Sequence, residues 1–185
     1  MNKKLNVLQI IDSLRAGGAE MMAVNIANGL AEEGVESHIC ATRMEGDLKL
    51  KVLPMVGYLF LNKKNTIDFI AFKKLYNYII QNNIQVIHTH SSSYFLGFLI
   101  KVILPKIDLI WHDHYGKEEN LDKRKSFPIN IISKTFKSII SVNKLLKDWS
   151  AKNLKTKSVI YLPNFASFGN KTAKTTFLKG EEEKK

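Results

Sequence analysis

Short apolar runs alternate with amphipathic stretches from one end of this sequence almost to the other, and no other property narrows the fold as much. The first unit is Leu5 to Gly18, LNVLQIIDSLRAGG, followed at once by AEMMAVNIANGLAEEG. It reads as a buried strand, a glycine turn and the start of a helix. Further apolar runs predict strands over Ser37–Thr42, Gly57–Leu61, Gln85–Thr89, Ile107–Trp111, Ser138–Val142 and Val159–Leu162. Helical spacing predicts helices over about 19–33, 67–81, 94–104, 129–136 and 144–153. In the first helix Met22, Ile26 and Leu30 share one face, with Glu20, Asn28, Glu32 and Glu33 largely opposite, and Gly34 serves as its C-cap.

Strands that are apolar on both faces and alternate with helices imply a parallel sheet covered on both sides, with right-handed crossovers. The expected fold is therefore α/β: a three-layer, Rossmann-like domain around a seven-stranded, mostly parallel sheet, spanning residues 1–168. Residues 169–185 are polar and charged without periodicity and read as a linker or tail. A length of 185 residues suits one such domain and not two of full size. The single cysteine, Cys40, excludes an internal disulfide and lies in an apolar strand, where a structural thiol is expected.

The start, MNKKLNVLQII, runs straight into a strand, so no secretory leader is expected, and the longest apolar run, Tyr94 to Ile100, stops at Lys101, short of the roughly 20 residues of a membrane span. A cytoplasmic protein is expected. The net charge of +11 is uneven, with 11 Lys/Arg against 4 Asp/Glu between Lys117 and Lys157. Such a bias suits an anionic partner, including the acidic inner face of a membrane, or is simply a solvated surface. A nucleic acid is not the expected partner, since no recognisable module is present and the aromatics lie on apolar helix faces.

In an open parallel sheet, ligands bind beyond the carboxyl ends of the strands. Three polar clusters fall there: Asp12 to Gly18, His88 to Ser93 and His112 to Gly116. Four of the five histidines thus meet at one edge. Residues two apart in a strand point the same way, so His88 with His90, and His112 with His114, can face one cleft. Such imidazoles can ligate a metal with Asp113, can act in proton transfer or substrate binding, or can hydrogen-bond the backbone. Ser91 to Ser93 can cap the next helix or bind phosphate, and capping is the expectation. Gly17-Gly18 permits close approach to a phosphate at a helix start. The G-x-G-x-x-G fingerprint of dinucleotide enzymes and the phosphate loop of nucleotide triphosphatases are both absent.

Six segments in order, IIDSLRAGGAE, NIANGLAEEG, VIHTHSS, IWHDHYG, IISVN and VIYLPN, resemble the N-terminal domain of family-4-like retaining glycosyltransferases across about Leu5 to Phe165. The resemblance implies one half of a GT-B fold, whose two Rossmann-like domains face each other across a cleft. It implies transfer of a sugar from a nucleotide-sugar donor, as substrate and with no cofactor or metal, to a glycan or lipid-linked acceptor with retention, as in polysaccharide biosynthesis. His112 or His114 would be catalytic. Gly17, Gly18, His88, His90, Ser91, Asp113 and Asn164 would contact substrate or donor. Most of the nucleotide-binding surface belongs to the family's C-terminal domain, which would follow this sequence. The expectation is a piece of a longer enzyme, inactive alone. The alternatives are one subunit of a two-chain transferase, or a binding module without turnover.

Overall fold

A computed structural model describes residues 4–115, 121 and 123–165. The expected linker, 169–185, lies outside the described residues. Seven strands form one sheet: β1 (Asn6–Ser13), β2 (Glu36–Met44), β3 (Gly57–Phe60), β4 (Val86–His90), β5 (Asp108–Asp113), β6 (Ser138–Ser141) and β7 (Val159–Tyr161). Their order across the sheet is β3-β2-β1-β4-β5-β6-β7, and every neighbouring pair is parallel. The order reverses between β1 and β4, which opens a crevice at the carboxyl ends of those two strands.

Among the described residues five α-helices accompany them: α1 (Gly18–Glu32), α2 (Phe69–Gln81), α3 (Tyr94–Ile103), α4 (Ile129–Ile132) and α5 (Lys144–Asn153). Their ends follow local chemistry. Asp68 accepts from Ala71 N–H at 3.0 Å to start α2, and Asn143 accepts from Leu146 N–H at 2.7 Å to start α5. At the end of α1, Gly34 adopts φ +81°, so that Gly34 N–H reaches Ala31 O and Val35 N–H reaches Leu30 O, at 3.0 and 2.9 Å. The helix expected over 129–136 stops at Ile132 and tightens into a 3₁₀ turn, Ser133–Thr135. There the Ser133 and Thr135 hydroxyls bond the Asn130 and Ile132 carbonyls, each at 2.7 Å, and compete with the helical ladder.

The core divides by sheet face. Helix α1 and the 3₁₀ turn Asp47–Lys51 cover one face of β1 and β2 through Ala23, Ala27 and Leu48 against Ile11, Ile39 and Ala41. Helices α2 and α3, with α4, cover the opposite face, where Leu75, Ile100 and Ile132 share a core with Leu8, Ile87 and Trp111. Connections that run one way across the sheet and those that run the other fall on opposite faces when their handedness is the same. Among the described residues, coverage of the first face consequently thins past β1. Among these residues α1 and the 3₁₀ turn pack on the first face over β1 and β2, and Ile160 of β7 is 49% exposed. Helices lie on both faces of the sheet, as expected, and two-sided coverage is seen over β1 and β2.

The stripe expected on α1 shifts for the same reason. Met22, Ala23, Val24 and Ala27 are buried, because small side chains let the helix approach the sheet. Ile26 and Leu30 overhang its edge. They line a groove of about 580 Å³ with Val7, Val86, Ile110 and Ile140.

Candidate functional site

Strands β4 and β5 run further than their apolar cores required, to His90 and Asp113. Two contacts hold the extension. His90 lies opposite His112 in the ladder, and Trp111 Nε1 donates to Ser91 O at 2.8 Å. Strand alternation then puts His88, His90 and His112 on the face that α1 shares. His114 joins them just past the strand end. Ring centroids are 4.5 Å apart for His88–His90, 5.2 Å for His90–His112 and 4.1 Å for His112–His114.

Gln9 of β1 completes the group. It is fully buried, sits beside His88 in the ladder, and its Oε1 lies 2.9 Å from His90 Nε2. With that oxygen as acceptor, His90 carries its proton on Nε2 and accepts through Nδ1 from His114 Nε2–H at 3.1 Å. The hydrogen bonds run in one direction, from His114 through His90 to Gln9. His88 Nε2, His114 Nδ1 and both nitrogens of His112 have no hydrogen-bond partner among the described residues.

Burial holds all four rings neutral at pH 7. It brings His88 down to about 3, His112 to about 2 and His114 to about 4, and His90 well below its ordinary value; for His88, His90 and His112 the neighbouring imidazoles, His114 among them, add to the effect. A neutral imidazole can accept a proton or hydrogen bond from a sugar hydroxyl through its bare nitrogen and donate from the other.

His88, His90 and His112 also present nitrogens within 4.8 Å of one another, a donor set of zinc type. The His88 and His112 rings, however, are parallel to within 5° at 5.3 Å. Their lone pairs lie in the ring planes and run side by side, so a shared ion requires the rings to rotate.

Asp113 faces the other way. Its carboxylate is buried on the opposite face and takes both terminal nitrogens of Arg124, at 2.6 and 3.0 Å, and Tyr115 N–H at 3.2 Å. Burial pushes this carboxyl up, against the pull of Arg124. The guanidinium stands 4.4 Å from the ring centres of both Tyr115 and Trp149. Asp113 is thus joined to the aromatic cluster and not to the histidines.

Gly17, Gly18 and Asn164 come together at the start of α1. A Cβ on Gly18 would lie 3.8 Å from Asn164 Nδ2. Glu20, in the first turn, accepts from the Ser13 hydroxyl at 3.2 Å and leans against Gly17, so a carboxylate of the protein itself sits at this helix N-terminus. Ser91 adopts φ +50°. Ser92 and Ser93 do not cap α3 as expected; their hydroxyls donate to Asp12, which also takes Thr42 Oγ1 at 2.6 Å. A carboxylate at the end of β1 outcompetes the helix amides for them.

The geometry therefore joins four of the expected residues in one histidine stack and three at the α1 start. Sequence reasoning missed Gln9, whose signal is a lone amide in an apolar strand. It also missed Arg124, which sits in a basic stretch where nothing in the spacing sets it apart.

No described helix is long and apolar enough to cross a membrane. A comparison with curated protein sequences returns no match. Solved structures share the fold. A glycosyltransferase from Rickettsia africae ESF-5 superposes with TM-score 0.63 at 16% identity, covering 86% of this chain and 43% of its own. Anabaena Alr3699/HepE, solved in complex with UDP, gives 0.59 at 13%, covering 86% and 44%. UDP-GlcNAc 2-epimerase from Neisseria meningitidis, bound to UDP-GlcNAc, gives 0.59 at 15%, covering 86% and 47%. The chain spans less than half the length of each of these. The family model for Glycosyltransferase Family 4 matches residues 16–166, from the loop before α1 through both histidine strands to just past Asn164. The chain belongs to that family, as an N-terminal, Rossmann-like half of the GT-B fold.

Proposed function

We propose that this domain forms the acceptor side of an enzyme that transfers a sugar from a nucleotide-sugar donor to a glycan or lipid-linked acceptor, with retention at the anomeric carbon. The observation that carries the reading is the buried stack of four neutral histidines at the carboxyl ends of β4 and β5. The transfer breaks the bond between the anomeric carbon and the donor phosphate oxygen. The acceptor oxygen bonds that carbon, its proton passes through the bare nitrogen of His112 or His114 to the departing phosphate oxygen, and the nucleotide leaves with the electron pair of the broken bond. His112 or His114 contacts the reacting sugar through a bare nitrogen, while Gln9 and His90 fix the tautomer of His114 behind it.

Gly18 and Asn164 face the donor at the start of α1, and a second domain holds most of the nucleotide. Solved neighbours bound to UDP and UDP-GlcNAc support a uridine nucleotide-sugar as donor. A net charge of +11 supports an acceptor at an acidic membrane surface.

The test is acceptor-dependent UDP release by the full-length protein from a panel of UDP-sugars. His112→Gln is expected to lower kcat by about 100-fold or more, on the scale of lost proton-transfer catalysis, with the circular dichroism spectrum unchanged. Near-normal turnover in that variant overturns the reading.

A further inference from the structure

A second cavity lies on the far side of the crevice from the histidines. It measures about 350 Å³ and is lined by Asp12, Thr42, Arg43, Lys63, Ser92 and Phe95, among others. Lys63 decides its chemistry. Lys63 N–H donates to Thr42 O at 2.7 Å, and the preceding Asn62 turns the chain through φ +53°. The residue is left only 9% exposed. A buried lysine is ordinarily paired. Among the described residues, neither Lys63 nor Arg43 makes an ion pair, and no hydrogen bond reaches the Lys63 ammonium.

The neighbouring carboxylate does not fill this role. Asp12 is taken up by three hydroxyls, from Thr42, Ser92 and Ser93. Burial, with the like charge of Arg43, holds the Lys63 ammonium below the ordinary lysine range, against the pull of Asp12 and Asp68. The exposed Arg43 and the largely buried Lys63 thus bring two cations to one cavity without an ion pair, where the phosphate of a ligand would be attracted. Each of the three hydroxyls spends its proton on Asp12, so its oxygen is left to accept hydrogen bonds from a ligand. Phe95 adds an apolar wall.

We propose that this cavity binds the phosphate of a phosphorylated sugar or polyol, with Lys63 and Arg43 on the phosphate and the Asp12-bound hydroxyls accepting from the ligand's own hydroxyls. The identification of this ligand as the transfer acceptor rests on the function proposed above; the binding itself does not. The phosphate can belong to a free metabolite or to the headgroup of a lipid.

The experiment is binding to the 185-residue chain with no donor present, using glucose 1-phosphate and glycerol 3-phosphate against glucose and glycerol. A parallel arm uses phosphatidylcholine vesicles with and without phosphatidic acid. Saturable binding of the phosphate monoesters, absent for the neutral compounds, is expected. Loss of charge-assisted hydrogen bonds should weaken it about tenfold or more in Lys63→Met and in Arg43→Gln. Binding confined to the phosphatidic acid vesicles and lost in the same variants supports the site with a lipid source. Binding in neither arm, or binding indifferent to both substitutions, overturns the proposal. Lys63→Met keeps the length and apolar stem of the buried side chain, and Arg43 is exposed, so the second variant stands if the first fails to fold. A protein that transfers sugars but ignores these phosphates loses this inference alone. One that binds them through Lys63 without UDP release loses only the transferase reading.

Discussion

Arg124 grips Asp113 through both terminal nitrogens, at 2.6 and 3.0 Å, from a side chain only 10% exposed. The pair lies beneath Trp111 and between Tyr115 and Trp149, directly behind the strand that carries His112. Breaking it from one side strands a buried charge. Arg124→Met should cost about 3–5 kcal/mol, measured by urea unfolding. Arg124→Lys keeps the charge but loses the fork, and should cost less. Replacing both partners, as Asp113→Leu with Arg124→Met, should recover much of the loss, because an apolar pair of similar volume has no desolvation to offset.

Acid should unfold this domain early. The unfolded chain takes up protons on its histidines near pH 6.5, whereas the folded chain resists until about 4 at His114, 3 at His88 and 2 at His112. The unfolded state therefore holds more protons between those limits, and stability falls as pH drops from 6.5 toward 4. Each ring contributes about 1 kcal/mol per pH unit inside that window. Urea midpoints at pH 7.5, 6 and 5 should show uptake of more than one proton per unfolding event. A flat profile would show that the rings are not buried neutral.

Gln9→Leu should release His90 from its tautomer. The substitution removes the acceptor of His90 Nε2–H and leaves a fully buried donor unpaired, at a cost of about 1–3 kcal/mol. Nitrogen-15 shifts of the His90 and His114 rings should move from single tautomers toward averaged values. Unchanged shifts would show that Gln9 does not orient the stack.

Two glycines should respond unequally to alanine. At Gly46 an added Cβ would lie 2.5 Å from the backbone of Leu14 and Arg15, where the loop after β2 packs on the loop after β1. At Gly17 it would meet only the far end of the Glu20 side chain. Gly46→Ala should cost about 1–3 kcal/mol as backbone is forced apart. Gly17→Ala should cost much less, since Glu20 can swing aside. Thermal melts of the two variants separate these outcomes.

The alternation of strand and helix was enough to place all seven strands within a few residues, because period and turn chemistry are local properties. What lay beyond it was set by contacts between distant segments. Strand β5 continues through His112 only because β4 offers His90 as a ladder partner and Ser91 O as an acceptor for Trp111. The histidine cluster was legible, since two His-X-His pairs at strand ends must share a face. Its anchor was not, because Gln9 is separated from His90 by 81 residues. The use of Asp113 was hidden too. Its partner Arg124 lies among basic residues that look alike in sequence, and only the aromatic rings around it single it out. Ser92 and Ser93 went to Asp12 instead of to a helix cap for the same reason: a competing acceptor arrives from β1.

Strand β5 is a two-sided ruler. His112 and Asp113 are adjacent in the chain, yet one belongs to a stack of imidazoles and the other to an ion pair packed among aromatic rings. A deletion of one residue ahead of them would carry Asp113 into the imidazoles and His112 into the place of Trp111 on the aromatic face, changing the electrical character of both faces at once. Point changes at either position disturb one face and spare the other. Natural variation in this strand should thus proceed by replacement of single side chains, while changes of length are confined to the turns on either side.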